Sequence, residues 1–515
     1  MKKKLYSAIL ASIMVIGSIC GVAIPVYAKE ETKIIDGNDS YDTATYLDIN
    51  GSYSDVLADS DDVDFYKLTP DSNGKLSIHF GHTYGDSSDG WEVITYKYQD
   101  GEYLELSDTV IQLKDNENIE LPFVGAQQGC KYYIKVKGYY GDAVNKKYTI
   151  KTTFTRSEQY EKEENNSYSS ATEMGMNSTY TGTLNNKSDV DIYRIISSGD
   201  GKIALTFEHT YAEDSSGWNV IIYRYANGEY QELSNEIIEQ KDSEVYQLPY
   251  IGAVSNGVYY VKITHYYWEE IGKEYVLRNT FLQSGYYEKE ENDSYKTATD
   301  LMVGKVHNGT LNSNNDKDFW KITATKKGYI KLNFGHEYVD NGNGWSVSVY
   351  QYINGEYKEL SSQTIELKDN KSLQLKGISA QAGNIYYIKI TNYYWDAIGK
   401  NYTLKATYSV AKPYNLRGTI YGKKISLKWD RANTVNGFEV YCKVGNGKYK
   451  KIADTSKNSY TYKKLSKKKT CYFKVRSYIM NNGVKRIQQF FSCGKGKSVV
   501  VQCGTDSNIL CKGEK

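Results

Sequence analysis

Trp-Asn-Val-Ile-Ile-Tyr-Arg-Tyr, residues 218–225, is followed by Ala226 and the turn pair Asn227-Gly228. Polar and apolar side chains largely alternate here, which indicates a β-strand with one buried face, because successive strand side chains point to opposite faces. The Asn-Gly pair favours a tight hairpin turn. Further short strands at 202–207, 259–264 and 275–281, separated by Gly, Asn and Asp turns, predict an antiparallel β-sandwich. One short helix is expected near Ser167 to Met174.

The same pattern recurs three times along the chain. Trp91, Trp218 and Trp345 are spaced by 127 residues, and no insertion or deletion interrupts the three copies. A unit of this length can bury its own core, so the repeat predicts tandem domains rather than a solenoid. The predicted segments are a signal peptide at 1–28, repeat 1 at 29–156, repeat 2 at 157–283, repeat 3 at 284–410, a fourth domain at 411–503 and a tail at 504–515.

Composition excludes two broad classes of protein. Of the 515 residues, 24% are charged and 40% are hydrophobic, which argues against a disordered chain and against an integral membrane protein. Tyrosine is abundant, with 52 Tyr against 12 Phe and 5 Pro. This balance favours β-sheets with amphipathic aromatic surfaces.

The first 28 residues have the pattern of a secretion signal. Lys2, Lys3 and Lys4 precede an apolar stretch, and Val26-Tyr27-Ala28 supplies the small residues that a signal peptidase requires. No later stretch reaches the roughly 20 apolar residues of a membrane span. We expect a secreted protein, extracellular or loosely associated with the cell wall.

Charge divides the chain into an acidic body and a basic end. Residues 411–515 contain 24 basic and 5 acidic side chains, a net charge of about +19, whereas residues 29–410 carry about −20. The basic end favours an anionic partner such as the phosphate-rich polymers of Gram-positive walls, although it could also dock on the protein's own acidic repeats. We expect neither a nucleic-acid partner nor a membrane-spanning segment.

Repeats 2 and 3 open on acidic segments that suit calcium. Residues 161–167 read Glu-Lys-Glu-Glu-Asn-Asn-Ser, and 288–294 read Glu-Lys-Glu-Glu-Asn-Asp-Ser. Ca²⁺ takes six to eight oxygen ligands, and alternate residues of an extended segment point the same way. A solvated acidic linker with an Asx-turn is the alternative. The candidate ligands are Glu161, Glu163, Asn165, Asn166, Asp189 and Asp191 in repeat 2; Glu288, Glu290, Asn292, Asp293, Asp316 and Asp318 in repeat 3; and Asp36, Asn38, Asp39, Asp62 and Asp64 in repeat 1.

These openings run on to Gly-Thr-Leu-Asn, to Asp-x-Asp followed by an aromatic residue, and to a late Tyr-Tyr strand. This order resembles the bacterial pre-peptidase C-terminal domain family, which includes the collagen-binding modules of clostridial collagenases. The resemblance covers residues 30–410 and implies jelly-roll-like β-sandwiches that bind calcium. By the same resemblance, the ligands in repeat 2 are Glu161, Glu163, Asn165, Asn166 and Asp191. In repeat 1, Ile34 and Asp36 stand where the other copies have glutamates. The resemblance therefore leaves open whether repeat 1 keeps a calcium site.

Aromatic residues cluster where a late strand enters a loop. Four aromatics cannot all point inward from a strand end, and surface Tyr and Trp suit the binding of glycans or extended peptides. Packing against a neighbouring domain is the alternative. The collagenase modules bind collagen through tyrosines in this region. Where their strand continues with a tyrosine, this sequence has Lys137, Thr264 and Thr391, so whether the repeats bind collagen is left open. The candidate ligand-binding residues are Tyr139, Tyr140, Tyr266, Tyr267, Trp268, Tyr393, Tyr394 and Trp395.

From Ala411 the repeat stops. A Trp-bearing strand at 424–429, Gly-Phe-Glu-Val-Tyr at 437–441 and Tyr-Phe-Lys-Val-Arg-Ser-Tyr at 472–478 resemble the fibronectin type III modules of Gram-positive surface proteins. In that family the module is usually a spacer or an adhesion unit. Cys442 and Cys471 lie on neighbouring strands of such a module and either bond or are simply buried, whereas Cys130 is expected to be free.

Catalytic motifs are missing from the sequence. Neither His-Glu-x-x-His nor Gly-x-Ser-x-Gly occurs, and no histidine follows His336, whereas most cysteines do. Each repeat has one equivalent strand histidine without a second ligand for zinc. Paired acids recur with the repeat, which favours a structural ion over a glycosidase dyad. We expect no enzymatic activity.

These observations predict a secreted, multivalent binding or adhesion protein. Calcium-supported repeats would bind an extracellular polysaccharide or fibrous protein, and linked weak sites would raise the apparent affinity. The alternatives are a structural spacer of the cell envelope and an accessory subunit of a separate secreted peptidase or hydrolase.

Overall fold

The computed structural model of this protein describes residues 37–141, 143–267, 270–340, 342–394, 396–410, 413–430, 435–465, 469–481, 484–487 and 499–502. These residues contain 38 β-strands and no α-helix, so no membrane-spanning helix is found among them. The predicted signal peptide, Asp36, Trp268 and Trp395 lie outside the described residues.

Repeat 1 contains ten strands, which occupy the part of the chain predicted to form its sandwich. They are β1 (Thr45–Tyr46), β2 (Ser52–Val56), β3 (Val63–Leu68), β4 (Gly74–His82), β5 (Gly90–Gln99), β6 (Glu102–Gln112), β7 (Asn118–Glu120), β8 (Val124–Ala126), β9 (Lys131–Tyr139) and β10 (Lys147–Arg156).

Repeats 2 and 3 have the same ten strands in the same order. In repeat 2 they are β11 (Thr172–Glu173), β12 (Thr179–Thr183), β13 (Asp191–Ile196), β14 (Gly201–His209), β15 (Gly217–Ala226), β16 (Glu229–Glu239), β17 (Val245–Gln247), β18 (Ile251–Ala253), β19 (Val258–Tyr266) and β20 (Glu274–Gln283). In repeat 3 they are β21 (Thr299–Asp300), β22 (Val306–Thr310), β23 (Lys317–Thr323), β24 (Gly328–His336), β25 (Trp345–Ile353), β26 (Glu356–Ile365), β27 (Ser372–Gln374), β28 (Ile378–Ala380), β29 (Ile385–Asn392) and β30 (Asn401–Ser409).

Each repeat arranges its strands as two five-stranded sheets. In repeat 1 one sheet has the order β1-β3-β9-β5-β6, and the other has β2-β10-β4-β7 with β8 also paired to β4. The pairing is antiparallel except between β1 and β3. The predicted all-β, repeated sandwich architecture is confirmed, while the exact domain boundaries stay predictions.

The core of each repeat forms where the inward faces of the two sheets meet. Trp91 on β5 is fully buried and packs on Phe80 of β4, with ring centroids 5.3 Å apart, and Phe80 stacks on Tyr148 of β10. His82 also lies against Trp91, and its Nδ1 is 3.1 Å from the carbonyl oxygen of Thr83. The repeated tryptophans and histidines are therefore buried in the cores of the repeats.

The prediction of a short helix near Ser167 to Met174 is wrong. Residues 168–170 form a turn, closed by a hydrogen bond from the Ser170 N–H to the Ser167 carbonyl oxygen, and β11 follows. Ser167 and Ser170 also bond each other through their hydroxyls at 2.8 Å. Serine side chains that bond nearby groups in this way compete with helix formation.

The fourth domain consists of two sheets. Its core contains Trp429, Phe438 and Phe473. Cys442 and Cys471 are buried there and are not joined by a disulfide, and the half-buried Cys130 of repeat 1 forms no disulfide either. The strands are β31 (Tyr414–Tyr421), β32 (Lys424–Asp430), β33 (Gly437–Val444), β34 (Lys450–Thr455), β35 (Ser459–Tyr462), β36 (Thr470–Asn481), β37 (Val484–Ile487) and β38 (Val499–Gln502). One sheet has the order β31-β32-β35, and the other has β34-β33-β36-β37 with β38 also on β36. The fibronectin type III assignment stays a prediction.

Candidate metal centres and aromatic loops

Three buried carboxylates come together in repeat 2. Glu161 and Glu163 belong to the segment before β11, and Asp191 is the first residue of β13. None of the three is more than 1% exposed, and one oxygen of each lies within 4.8 Å of the others. Repeat 3 forms the same group from Glu288, Glu290 and Asp318.

Neighbouring strands hold these carboxylates in place. In repeat 2 the Thr183 N–H donates to Glu161 Oε1 at 2.9 Å, and the Tyr275 hydroxyl donates to Asp191 Oδ2 at 2.6 Å. The same hydroxyl lies 3.5 Å from Glu161 Oε2, so one tyrosine bridges two carboxylates. The equivalent contacts in repeat 3 join Thr310 to Glu288 at 2.6 Å and Tyr402 to Asp318 at 2.6 Å.

Burial raises the pKa of every carboxyl in these groups. The largest cause of the raised pKa of Glu161 is its removal from water, and the negative charges of Asp191 and Glu163 add to it. The pKa of Glu163 is raised in the same way, by burial and by the charge of Asp189. Burial also raises the pKa of Asp189 to about 6 and that of Asp318 to about 7. Carboxylates crowded in a site without water need either protons or a cation to offset their repulsion.

Unpaired oxygens complete each group. Asn165 Oδ1, Asn185 Oδ1 and Asp191 Oδ1 are buried and have no hydrogen-bond partner among the described atoms. Buried polar atoms are rarely left without a partner, and a bound cation would supply one to all three oxygens. Three carboxylates plus amide oxygens form the all-oxygen donor set that Ca²⁺ prefers, so these residues fit calcium. The counterparts in repeat 3 are Asn292 Oδ1, Asn312 Oδ1 and Asp318 Oδ1.

Asn185 and Asn312 are candidate ligands that the sequence analysis missed. Each ends a Gly-Thr-Leu-Asn motif, at 182–185 and 309–312, and its side-chain nitrogen reaches the second glutamate of the acidic segment. The recurring motif was visible in the sequence. Its role depends on the pairing of the acidic segment with β12, through the bridge between Tyr160 and Thr181.

Several predicted ligands lie outside the carboxylate triads. Asp189 accepts the backbone N–H of Asn185 at 2.6 Å and that of Val190 at 2.8 Å, so it caps a turn beside the site, and Asp316 does the same at Asn312. These contacts are those of the Asx-turn alternative. The exposed side chains Asn166 and Asp293 lie against the same turns, where the Lys317 N–H donates to Asp293 Oδ1 at 2.9 Å.

Repeat 1 brings together only part of its predicted ligand set. Asn38 and Asp64 are buried, and the Tyr148 hydroxyl donates to Asp64. Burial, with nearby carboxylates, raises the pKa of Asp64 to about 7. Asp39 is exposed, and Asp62 caps a turn by accepting the Ala58 N–H at 2.5 Å.

The acidic segment of repeat 2 lies directly against repeat 1. The Glu163 N–H donates to the Gly125 carbonyl at 3.0 Å, and Lys97 Nζ and Gln127 Nε2 donate to the Glu163 carbonyl at 2.7 and 3.0 Å. A Cβ at Gly125 would fall on the carbonyl oxygen of Glu161, so this close approach requires glycine.

The same joint connects repeats 2 and 3. The Glu290 N–H donates to the Gly252 carbonyl at 2.9 Å, and a Cβ at Gly252 would lie 2.5 Å from the carbonyl oxygen of Glu288. Repeat 3 has the exposed Ser379 at the equivalent position, and the sequence that follows it is not a repeat. The candidate metal-binding segments are therefore also the contacts between consecutive repeats.

Each aromatic loop has one tyrosine that is mostly exposed to solvent. Tyr140, Tyr267 and Tyr394 are 70%, 64% and 67% exposed, and their backbones are left-handed, with φ of 62°, 65° and 57°. A side chain in this conformation costs about 1–2 kcal/mol relative to glycine. The preceding tyrosines, Tyr139, Tyr266 and Tyr393, pack on them with ring centroids 4.5, 4.7 and 4.8 Å apart.

The base of each aromatic loop is hydrogen-bonded to the segment that leads from β12, or from its counterpart, into the candidate metal site. In repeat 2 the Gly272 N–H donates to the Leu184 carbonyl at 2.9 Å, one residue before Asn185. Repeat 3 repeats this contact between Gly399 and Leu311 at 2.9 Å. The loop and the carboxylate group therefore lie at the same end of the sandwich.

Two further sets of tyrosines were not singled out by the sequence analysis. One is exposed on the loop before β5 and its counterparts, and the other forms stacked pairs on the outward face of the first sheet, with centroids 3.5–3.8 Å apart. Period-two alternation could have placed the second set outside the core. The two sets are Tyr84, Tyr211 and Tyr338, and the pairs Tyr41–Tyr103, Tyr168–Tyr230 and Tyr295–Tyr357.

No model of a known protein family matches this chain, and no curated protein matches it. Among solved structures, the chain is similar to the pre-peptidase C-terminal domain of a collagenase from Bacillus anthracis, solved at 1.0 Å. The identity is 21%, the match covers 21% of this chain and 93% of that chain, and the TM-score is 0.17. At this identity and TM-score the likeness carries no argument about what the repeats bind.

Proposed function

We propose that this chain is a secreted, non-catalytic binding protein whose three repeats attach to an extracellular polymer, a glycan or a fibrous protein. The observation that carries the proposal is the set Tyr140, Tyr267 and Tyr394. Exposed aromatic side chains on costly left-handed backbones, at the same place in all three repeats, are expected where function and not stability selects the residue.

Paired tyrosine rings suit such a ligand. Tyr266 and Tyr267 offer apolar ring faces next to hydroxyl edges, and tyrosine loses little conformational entropy on binding because it has two side-chain torsions. Three such sites on one chain act together on a repetitive polymer, since each bound site raises the effective concentration of the others.

Calcium would stabilise the end of the sandwich to which each aromatic loop is attached. The residues that would hold it in repeat 2 are Glu161, Glu163, Asp191, Asn165 and Asn185. The positive charge of the ion would offset the repulsion between the buried carboxylates. The bond between Gly272 and Leu184 then ties the base of the aromatic loop to the stabilised strand.

The decisive experiment replaces the three exposed tyrosines with glycine in the full chain. We expect Tyr140→Gly, Tyr267→Gly and Tyr394→Gly together to weaken binding by about 100-fold or more, because avidity is lost with the sites. The melting temperature should stay constant or rise, because glycine relieves the left-handed backbone. Binding is measured by co-sedimentation with chitin, cellulose, peptidoglycan, collagen fibrils and whole bacterial cells, with and without calcium.

Tyr421→Ala is the matched control, because Tyr421 is 66% exposed but lies in the fourth domain. Retention on none of the polymers would contradict the proposal and favour the spacer alternative. Unchanged binding by the triple variant would also contradict it. A fall in melting temperature without a specific loss of binding would assign these tyrosines to packing.

We also propose that the basic fourth domain holds the protein near anionic wall polymers. Lys443 lies over Tyr472 at 4.3 Å and Lys474 over Tyr449 at 4.4 Å on the sheet containing β33 and β36, so cations and aromatic rings share one face. Such a face suits a phosphate polymer whose charge is only partly screened at physiological ionic strength.

The expected result is salt-sensitive attachment. The full chain should bind isolated Gram-positive cell walls at low salt and be released by roughly 0.5 M salt, where the Debye length falls to about half its physiological value. A chain lacking residues 411–515 should lose this retention. Retention that salt does not change would contradict an electrostatic attachment.

A further inference from the structure

Repeat 1 differs from the other repeats at two positions whose counterparts in repeats 2 and 3 lie next to each other in space. The first glutamate of the acidic segment, Glu161 in repeat 2, is Ile34 in repeat 1, and Gly182 of β12 is Asp55 of β2. A Cβ at Gly182 would lie 2.5 Å from Glu161 Oε2. A side chain from position 55 therefore begins where the missing glutamate carboxylate would end.

The repeat 3 geometry supports the same relation. A Cβ at Gly309 would lie 2.5 Å from Glu288 Oε2. Glycine is thus found on this strand in both repeats that have the glutamate, and aspartate is found in the repeat that lacks it. The loss of one carboxylate and the gain of the other leave the number of acidic residues around the site unchanged.

Asp55 is oriented toward the site by the same kind of contact that orients Glu161. It is 4% exposed, and its Oδ2 accepts the Tyr66 hydroxyl at 3.1 Å. That hydroxyl lies 2.6 Å from the Tyr148 hydroxyl, which donates to Asp64. Two adjoining tyrosine hydroxyls therefore link Asp55 to Asp64, as Tyr275 links Glu161 to Asp191 in repeat 2.

An unpaired amide points to a ligand at this position. Asn38 is 1% exposed, and neither its Oδ1 nor its Nδ2 has a hydrogen-bond partner among the described atoms. Its carbonyl accepts the Phe65 N–H at 2.9 Å, next to Asp64, as the Asn165 carbonyl accepts the Ile192 N–H at 3.1 Å. Asn38 therefore occupies the place of Asn165, whose side chain lies against the carboxylate of Asp191.

We infer that repeat 1 has a divalent-cation site of its own, in which Asp55 supplies the carboxylate that Glu161 supplies in repeat 2. Asp64 and Asn38 are the other described ligands. The all-oxygen set selects a hard cation such as calcium. The inference rests on the proposed calcium sites of repeats 2 and 3. The site in repeat 1 differs from them because its carboxylate comes from Asp55 on strand β2, whereas Glu161 lies in the acidic segment between two repeats.

Counting bound calcium ions in the full chain tests the inference. Equilibrium dialysis should give three ions per wild-type chain, and two for Asp55→Asn, which keeps the shape of the side chain. Asp61→Asn, an exposed carboxylate between β2 and β3, is the matched control and should leave three. A chain with Glu161→Gln, Glu163→Gln, Glu288→Gln and Glu290→Gln should retain one ion, which the further change Asp55→Asn should remove.

The outcomes separate the two proposals. Two ions in wild type and none in the fourfold variant would overturn the site in repeat 1 and leave those in repeats 2 and 3 standing. One ion that survives Asp55→Asn in the fourfold variant would overturn the role of Asp55. No ion in wild type would overturn both. Melting of Asp55→Asn in calcium-free buffer at or above the wild-type temperature would exclude loss of folding as the cause of a lost ion.

Discussion

Removal of calcium is expected to lower the melting temperature of the repeats by about 10 °C. An ion present at 100 times its dissociation constant stabilises the folded state by about 2.7 kcal/mol if it does not bind the unfolded chain. For a domain near 130 residues, 1 kcal/mol corresponds to roughly 3–4 °C. Calorimetry of the full chain in millimolar calcium and in EDTA measures the difference.

Variants of repeat 3 localise the effect. Glu288→Gln with Glu290→Gln should remove the calcium-dependent shift of one transition, because the oxygens of both side chains belong to the buried group. Glu291→Gln is the matched control, since Glu291 follows directly but lies outside that group. Superimposable melting curves with and without calcium would refute the calcium sites.

Without calcium, the repeats are expected to become less stable as the pH rises from 5 to 8. The carboxyl pKa values are higher in the folded protein than in the unfolded chain, so the folded state binds more protons between the two values. Burial raises the pKa of Asp318 to about 7 from an ordinary 3.8, and that of Glu290 is also raised well above its usual range. The stabilising protons are fully present below about pH 4 and are lost as the pH rises through 7.

The expected loss is on the order of 3 kcal/mol per site, because each unit of pKa shift corresponds to about 1.4 kcal/mol and the carboxyls of one site are coupled. Calcium should reverse the trend, since it binds the deprotonated carboxylates and competes with protons. Urea unfolding at pH 5 and pH 8, in metal-free buffer and in millimolar calcium, tests the reversal. Glu288→Gln with Glu290→Gln should flatten the metal-free dependence of repeat 3; a chain equally stable at both pH values without metal would contradict the explanation.

The repeat itself was readable from sequence because it depends on local information. The 127-residue spacing of Trp91, Trp218 and Trp345 and the alternation along β15 reflect which side chains must face a core, and both appear without knowledge of strand order. The acidic segment at 161–167 could be identified for the same reason, since the residue types and their spacing already suit a hard cation.

Which residues form the candidate metal site depended on tertiary structure. Asp189 and Asp191 are two residues apart, yet Asp191 joins the buried triad while Asp189 caps a turn, because β13 begins at Asp191 and turns its side chain toward Tyr275. Asn185 follows β12 by two residues and Asp55 lies on β2, and the pairing of these strands, not closeness in sequence to the acidic segments, brings both residues to the candidate sites. The spacing of residues along the chain does not show which side chains meet in space, because the pairing of the strands decides it.

The joints between repeats were also decided only in three dimensions. Gly125 and Gly252 could be read as turn residues in the sequence, but both lie under the acidic segment of the following repeat, where a Cβ would meet its backbone. Sequence alone thus determined the number of repeats, their β-sandwich class and the positions of the acidic and aromatic segments. The tertiary structure decided which oxygens meet, which tyrosines face solvent and where one repeat rests on the next, because each depends on contacts between residues far apart along the chain.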